Sequence, residues 1–361
     1  MRSEIEFRGD VKMDWEKTLE NYGMMIEEKL KDRFRIIKKE AEKYHPFIAE
    51  VYSRFEEYTL RRGKRLASCC TLLTYRGYTG RIDDEILKVC VGIEMYRHCI
   101  LIHDDIVDMD KFRRGGKTMH QIFMKIYDDR FGEGVAVFLG NIAYSLASQI
   151  IIDSGFLEEK VAESLSLLSR GYREVNESQI LDLLFEYKDD VDVDEWKVMA
   201  SKRAASLFKV AMLIGAVLGD APNEDLKKLA EAAANIGYAF DIQDDIIDTF
   251  ADEQQYGRPP CRDIILGKKP LHVICALNST RVEESETLRG LLGKKALAQK
   301  DIGLIRDLIK KSGGLEEAKK ISRKHSEKAK MLISQTGLDD DVKEFFYSLI
   351  GYVDESLDWY K

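Results

Sequence analysis

Apolar residues along this chain recur at steps of three and four over long stretches, which is the periodicity of amphipathic helices. The pattern predicts helices over these ranges: 14–43, 84–108, 134–152, 158–186, 193–218 and 223–249, with shorter helices after residue 270. Strand-like alternation of apolar and polar residues is scarce. We therefore predict an all-α fold, formed as one domain by residues 1–361.

Polar residues and glycines predict where these helices begin and end. Asp83 and Asp84 are typical N-cap residues for the second long helix, and Pro222 with Asn223 begins the last one with a plausible cap. Glycines near position 115 interrupt the pattern, and residues 250–270 are rich in turn formers, so we predict a loop there. The chain has only five prolines, which leaves long runs free of helix breakers.

Two acidic motifs of the form DDxxD are placed near the ends of two long helices. The first comprises Asp104, Asp105 and Asp108, and the second comprises Asp244, Asp245 and Asp248. On a helix, the first and last Asp of each motif share a face, with Cβ atoms roughly 5–6 Å apart. Each pair can therefore bind one cation. Asp241 joins the second face one turn earlier. Such a row of buried carboxylates needs cations to neutralise it.

The ligand set predicts a hard metal ion, because it consists of oxygen donors without paired His or Cys. Mg²⁺ shares its coordination shell with substrate phosphates, and basic residues follow both motifs. They are Arg113, Arg114, Lys202, Arg203, Arg258, Lys268 and Lys269. Each alone is also typical of a surface charge, and the acidic clusters alone are typical of solvated helix ends. Together they indicate diphosphate recognition and ionisation of a carbon–oxygen bond.

The helix predicted over 158–186 carries an apolar stripe that ends in polar residues. The stripe contains these positions: Val161, Leu165, Leu168, Tyr172 and Val175. Gln179 and Asp182 continue the same face. We expect these two side chains to line the cavity that holds the metals, although a helix end that leaves the core would give the same pattern.

Composition excludes several classes of protein. The 56 basic and 64 acidic residues give a net charge of −8, which argues against general nucleic-acid binding. The start MRSEIEFRGD lacks the apolar core of a signal peptide, and we expect no segment that spans a bilayer. The six cysteines show no metal-type spacing, so we expect reduced core thiols and a cytoplasmic protein.

At these motifs the chain resembles the trans-isoprenyl diphosphate synthase (polyprenyl synthetase) family, of the short-chain type. The resemblance covers roughly 60–275, with 276–361 as C-terminal helices of the same domain. Its markers are 63-GKRL-66, 103-HDDIVDMDKFRRG-115, 179-QILD-182, Lys202, 240-FDIQDDIID-248 and 257-GRPPCRDIILGKK-269. It implies an antiparallel helical bundle around a deep cavity (the isoprenoid synthase type I fold), and usually a homodimer. It also implies Mg²⁺, with Mn²⁺ as its substitute, and head-to-tail condensation of isopentenyl diphosphate with an allylic diphosphate.

The resemblance assigns expected roles to individual residues. Asp104, Asp108 and Asp244 match the main metal ligands, and Asp105, Asp245 and Asp248 match supporting ones. Contacts to the allylic diphosphate are expected from Arg113, Lys202 and Lys268, with Gln179 nearby and with Arg258 standing where the family has Lys. Contacts to isopentenyl diphosphate are expected from Lys64, Arg65 and Arg114.

Several positions depart from the family pattern, mainly on the side of the second substrate. The usual Arg-Pro after GKRL is Ala67-Ser68, and the usual His seven residues before the first Asp is Arg97, which shares a helix face with Asp104 and could restore the lost charge. The usual Thr and Gln are Arg203 and Asp241, which we expect to form an ion pair. Asn141 and Pro270 replace the family's usual Asp and Thr.

Product length in this family depends on the bulk of side chains below the first motif. Tyr96, Cys99, Ile100 and His103 lie on successive turns, and each turn rises ~5.4 Å, about one isoprene unit. Cys99 is small where short-product enzymes carry an aromatic residue, so we expect Tyr96 to form the floor of the cavity. The prediction is geranylgeranyl diphosphate, with farnesyl or geranylfarnesyl diphosphate next. A core-packing role for Tyr96 remains the alternative.

Three other functions fit parts of the pattern. His103-Asp104 is an HD pair, as in HD-type phosphohydrolases, but that class leaves the second motif unexplained. A class I terpene cyclase or an irregular prenyl coupler shares the first motif, whereas cyclases normally lack the repeated DDxxD. A non-catalytic paralogue that forms a heteromer with an active synthase would explain the departures at 67, 97, 203 and 241.

Overall fold

A computed structural model describes residues 15–61, 63–252, 259–279, 282–294 and 296–357, without the side chains of 204, 205 and 282. The described residues form the following helices: α1 Trp15–Glu42, α2 Pro46–Leu60, α3 Leu66–Thr79, α4 Asp84–Val107, α5 Met119–Phe123, α6 Asp129–Ile152, α7 Glu158–Tyr187, α8 Val193–Lys202, α9 Ala204–Leu218, α10 Asn223–Phe250, α11 Arg262–Leu266, α12 Leu271–Ser279, α13 Val282–Arg289, α14 Gln299–Lys311, α15 Gly314–Ser334 and α16 Asp340–Ser356. Two-residue strands, β1 Phe112–Arg113 and β2 Gly116–Lys117, are the only ones in these ranges. The all-α prediction is confirmed.

Most predicted helices occur within a few residues of their expected bounds. The predicted cap of α4 is present, because the Asp83 side chain accepts the backbone N–H of Ile86 at 3.0 Å. Helix α6 begins five residues earlier than predicted, since Asp128 caps it and its polar first turn hides the apolar period. The cap predicted for α10 is wrong: Asn223 is already helical, and the preceding Pro222 has no side chain that can cap.

The single helix predicted over 193–218 is wrong. The chain forms two helices, α8 and α9, which are separated at Arg203, whose φ and ψ are −83° and −106°. The apolar period continues through the break, so the pattern could not reveal it. The loop predicted over 250–270 is also corrected, because α11 forms within it; residues 253–258 of that loop lie outside the described residues.

The glycines near 115 form a tight antiparallel hairpin. Phe112 pairs with Lys117 and Arg113 pairs with Gly116. The two turn residues, Arg114 and Gly115, have φ of 52° and 78°, which matches the positive φ that type I′ hairpin turns require. This turn presents Arg113 and Arg114 just beyond the first acidic motif.

The helices enclose two adjoining apolar cores. One is built mainly from α1–α4, α6, α7 and α9, and the other from α8 and α11–α14. Helix α10 joins them, because its first half supplies Ile236 to one core and its second half supplies Ile246 to the other. All six cysteines are buried free thiols, as expected.

One helix bears on the expectation that no segment spans a bilayer. Helix α6 is long and apolar enough to cross a bilayer by length and composition alone, with a mean hydropathy of 1.8 and 44% of that window buried. Its charged residues are concentrated in its first turns, and its exposed face beyond them carries the uncharged polar residues Asn141, Ser145 and Gln149. The exposed part includes Phe138, whose side chain is 68% exposed.

Candidate active site

The first acidic motif lies at the C-terminal end of α4. Asp105 is fully buried and accepts hydrogen bonds from the Tyr58 hydroxyl at 2.6 Å and from Arg113. Asp104 accepts the side-chain amide of Gln179 at 2.7 Å and lies 3.2 Å from the Arg113 guanidinium. The predicted Gln179 is therefore part of this site, and α7 reaches the first motif.

Burial and neighbouring charges set the protonation of this motif. Burial opposes the charge on Arg113, but the carboxylates of Asp105 and Asp104 outweigh it and raise the pKa of the guanidinium. Burial raises the pKa of Asp105 to about 6, against the effect of Arg113. Burial and the charge of Asp104 raise the pKa of Asp108 to about 7, with Lys268 opposing them. These carboxylates depend on nearby cations for their charge.

The second motif lies on the last turns of α10. Asp244 is exposed, whereas Asp245 and Asp248 are buried, with 8% and 1% of their surface accessible. The carboxylate of Asp248 accepts the backbone N–H of Asp263 at 3.1 Å. Within the described part of the chain, Oδ2 of Asp245 is buried and has no hydrogen-bond donor.

Basic side chains connect the two motifs through Asp182 of α7. The Lys268 ammonium lies 2.7 Å from Asp108 and 3.1 Å from Asp182. Arg203 lies 3.6 Å from the same Asp182 carboxylate. The result is a continuous ionic chain from the first motif to the second. Asp182, which the apolar stripe of α7 singled out, is its midpoint.

Arg203 forms the expected ion pair with Asp241. Its Nε and Nη2 lie 2.9 and 2.8 Å from the two carboxylate oxygens, and Nη2 is also 3.5 Å from Asp245. Burial opposes the charge of Arg203, but Asp241, Asp245 and Asp182 raise its pKa above the ordinary value. The break between α8 and α9 places Arg203 at the point from which its side chain reaches these three carboxylates.

The donor chemistry of the site fits a hard divalent cation. The two motifs supply carboxylate oxygens, which Mg²⁺ and Ca²⁺ prefer, and the unpaired Oδ2 of Asp245 leaves one buried oxygen for a ligand from outside. No three His, Cys, Asp or Glu side chains in the described ranges already stand together as a metal site. Lys268, Arg203 and Arg113 hold the carboxylates instead.

Two arginines beside the first motif have no acidic partner. Neither Arg97 nor Arg114 makes a hydrogen bond or ion pair with any residue that the structure describes. Burial, and then the charge of Arg113, lower the pKa of Arg97; burial, and then the charge of Arg97, lower that of Arg114. The Arg114 guanidinium lies 2.7 Å from where a side chain at Gly63 would begin. Adjacent cations that form no ion pair leave a place for an anion.

The other cations expected on the second-substrate side are already paired. Arg65 is buried and binds Glu94 at 2.9 Å, Glu27 at 3.4 Å and the carbonyl of Thr59 at 3.2 Å. Lys64 lies against the rings of Trp15 and Tyr352, 4.7 and 4.5 Å from their centroids, and pairs with Glu16. Arg65 thus joins α1, α3 and α4 within the protein.

Lys202 and Arg258 are the remaining basic residues expected at the site. Lys202 pairs with Glu177 of α7, with its ammonium 2.5 Å from the carboxylate. Arg258 lies outside the described residues. Lys269, one residue beyond Lys268, donates to the carbonyls of Phe185 and Gly267, and so holds its loop against the end of α7.

Tyr96, the residue predicted as the cavity floor, packs in a cluster of three tyrosines. Tyr96 is fully buried, and its ring packs edge to face on Tyr172 at 6.3 Å; Tyr172 in turn stacks on Tyr144 at 4.2 Å. Cys99 and Ile100 are buried on the same helix. The sequence did not single out Tyr144 or Tyr58 for the site, and no local pattern marked them. Tyr172 lay on the apolar stripe of α7 and could have been found there.

Comparison with known proteins identifies the family. The polyprenyl synthetase family model matches residues 49–309. A geranylfarnesyl diphosphate synthase of Aeropyrum pernix is 32% identical over 298 residues, 81% of this chain and 90% of the relative. A geranylgeranyl diphosphate synthase of Sulfolobus acidocaldarius is 29% identical over 78% of this chain and 82% of the relative. The crystal structure of geranylgeranyl pyrophosphate synthetase from Pyrococcus horikoshii is 27% identical in sequence and superposes with a TM-score of 0.82. The match covers 95% of this chain and 98% of that chain, which confirms the isoprenoid synthase type I fold. The chain belongs to the polyprenyl synthetase family and is a prenyltransferase.

Proposed function

We propose that this protein condenses isopentenyl diphosphate head-to-tail with an allylic diphosphate, and that geranylgeranyl diphosphate is its main product. The observation that carries the proposal is the arrangement of charge at the end of α4. Two DDxxD motifs are joined by the chain Asp108–Lys268–Asp182–Arg203, and the unpartnered Arg97 and Arg114 lie beside them. One side suits a metal-bound diphosphate and the other suits a second diphosphate.

Mg²⁺, or Mn²⁺ in its place, would be held by the six motif carboxylates and would stabilise the charge that develops on the leaving diphosphate. Arg113 binds Asp104 and Asp105 and Lys268 binds Asp108. Both cations would turn to the allylic diphosphate when it binds. Arg97 and Arg114 hold the diphosphate of the acceptor, which brings its double bond to the allylic cation. The released pyrophosphate takes up the proton.

Apolar residues below the first motif accommodate the growing chain. The small Cys99 leaves room where a bulky side chain would stop growth early, and Tyr96, which packs on Tyr172, lies one turn deeper on α4. This position of the floor supports a product of geranylgeranyl length. The names of the relatives, which include geranylgeranyl and geranylfarnesyl diphosphate synthases, support the same range.

We also propose a cytoplasmic homodimer in which residues 1–361 form one domain. Large apolar side chains are exposed on two helices, namely Phe138 on α6 and Ile180 and Leu184 near the end of α7, each by 55% or more. Such a face is typical of a subunit interface. If it is the interface, Phe138→Asp should halve the mass measured by light scattering, whereas an unchanged mass would remove this face from the dimer. If the protein instead forms a heteromer with a paralogue, the purified wild-type chain alone should have the mass of a monomer.

The test of function is a product assay with purified protein. It is incubated with Mg²⁺, isopentenyl diphosphate and, separately, dimethylallyl, geranyl and farnesyl diphosphates, while released pyrophosphate is measured and products are identified by mass. We expect geranylgeranyl diphosphate, lost with EDTA or in Asp104→Ala. Pyrophosphate without elongation would indicate cyclisation, hydrolysis or another acceptor. Absence of turnover with every primer would contradict the proposal and favour a non-catalytic subunit.

A further inference from the structure

The last aspartates of the two motifs, Asp108 and Asp248, are connected by one segment of the chain. Residues 261–263 wrap around Asp248: the backbone N–H of Cys261 donates to the Asp248 carbonyl at 2.7 Å, and that of Asp263 donates to its carboxylate at 3.1 Å. Cys261 adopts a left-handed conformation with φ of 60°. Arg262, between these two residues, is thereby placed rigidly beside the end of the second motif.

The Arg262 side chain crosses to the end of the first motif. Its Nη2 donates to the backbone carbonyls of Asp108 at 2.6 Å and Met109 at 3.2 Å, and its Nε lies 3.3 Å from the carboxylate of Asp110. Carbonyls at the C-terminal end of a helix lack partners within the helix and carry partial negative charge. A guanidinium therefore caps α4 where its last motif residue lies.

We propose that Arg262 is a positioning residue that sets the spacing between Asp108 and Asp248 and so prepares both motifs to bind divalent cations together. It contacts the carbonyl of Asp108 and leaves the carboxylate of that residue to Lys268. The proposal rests on the proposed function for its catalytic consequence. The structural claim, that Arg262 connects the ends of the two motifs, depends only on the contacts described above.

The same contact orders the hairpin that carries the phosphate-binding arginines. Asp110, bound by Arg262, is the residue whose carbonyl accepts the Thr118 hydroxyl at 2.7 Å across the base of the hairpin. Arg262 also binds the carbonyl of Met109. Met109 has a positive φ of 52°, a backbone conformation that is unfavourable for residues other than glycine. Release of Arg262 should therefore loosen residues 108–118 as well as the motif spacing.

The fork geometry of arginine is needed for this connection. Nη2 and Nε point to different acceptors along 108–110, whereas a lysine ammonium is a single point charge. Arg262→Met keeps the length of the side chain and removes every donor, and Arg262→Lys keeps the charge. Arg289→Met is the matched control, because Arg289 is similarly exposed and binds Asp190 at 2.7 Å, far along the chain from either motif.

The first measurement is hydrogen–deuterium exchange of the metal-free protein, which needs no turnover. In Arg262→Met we expect the backbone amides of 108–118 to exchange about tenfold faster. The loss of hydrogen bonds to a charged group should shift the local opening equilibrium by about that factor. Arg262→Lys should fall between it and the wild type, and Arg289→Met should match the wild type over this segment. Unchanged exchange over 108–118 in Arg262→Met would overturn the connection. So would faster exchange spread over the whole chain, which would indicate general destabilisation.

The second measurement is the Mg²⁺ concentration that gives half-maximal activity. We expect it to rise about tenfold in Arg262→Met, with a smaller change in kcat at saturating Mg²⁺, because the ligands remain while their spacing is lost. An unchanged half-saturation would overturn the effect on the metals. If the wild type makes no prenyl product, the proposed function fails, yet the exchange experiment still decides whether Arg262 joins the two ends. If Arg262→Met does not fold, Arg262→Lys tests the same contact, and Asp110→Asn tests the carboxylate that Arg262 shares with Arg113.

Discussion

The ion pair between Arg203 and Asp241 allows a quantitative test, because the family carries Thr and Gln at these positions. Asp241 is 7% exposed, and the Arg203 guanidinium donates two charge-assisted hydrogen bonds to its carboxylate, at 2.9 and 2.8 Å. Arg203→Thr leaves that carboxylate buried and unpaired, a change that costs about 3–5 kcal/mol. We expect the lower end, ~3 kcal/mol, since the Arg203 side chain keeps 20% of its surface exposed.

The reverse single change is expected to cost less. In Asp241→Gln, Arg203 keeps Asp245 at 3.5 Å and Asp182 at 3.6 Å, so that the guanidinium retains counter-charge. The loss should be about 1.5 kcal/mol, the lower end of the contribution of a hydrogen bond to a charged group. The double variant carries the family's Thr and Gln and should lose only ~1–2 kcal/mol, because both charges leave together. The two changes should therefore be coupled by about 3 kcal/mol.

The assay is urea denaturation of the four proteins, followed by circular dichroism in buffer with EDTA, so that no metal replaces the lost cation. Equal slopes against urea are required before the free energies of unfolding are compared. The exposed pair Lys197 and Asp194 is the control and should show no measurable coupling. Additive losses at Arg203 and Asp241, within about 0.5 kcal/mol, would refute the interpretation that the two replacements compensate each other.

Three further predictions concern the product, the acceptor and acid stability. Tyr96→Ala should shift products to longer chains by at least one isoprene unit, measured by mass; an unchanged length would remove Tyr96 as the floor. Arg97→Ala should raise KM for isopentenyl diphosphate about tenfold or more, because a charge-assisted contact is lost, and should leave KM for the allylic substrate nearly unchanged; equal rises in both would place Arg97 elsewhere. Burial lowers the pKa of His272 from 6.5 to about 3, so below pH 6.5 the unfolded chain binds a proton that the folded protein does not, and stability falls as the pH falls. His272→Gln should reduce that fall by ~1.4 kcal/mol per pH unit between about pH 6 and 4, and an identical pH profile of unfolding would contradict it.

The sequence by itself determined most of the long helices and the residue types that the two acidic motifs bring together. Helix periodicity is local, and so is the i, i+4 spacing that places the carboxylates of a DDxxD motif on one face. The ion pair of Arg203 and Asp241 was predictable because both positions depart from the family with opposite charge. Gln179 and Asp182 were predictable because they extend an apolar stripe whose inner face was known from its period.

Tertiary structure alone decided which cations are ion-paired within the protein and which are not. Arg65 and Arg97 look equivalent in the sequence, yet Arg65 binds Glu94 and Glu27 whereas Arg97 has no acidic partner among the described residues. In the sequence Arg262 is an ordinary loop residue, whereas in the structure its side chain binds the carbonyl of Asp108 at the end of α4. Such assignments depend on contacts between residues far apart in the chain, and a long flexible side chain takes the direction that the packing around it allows.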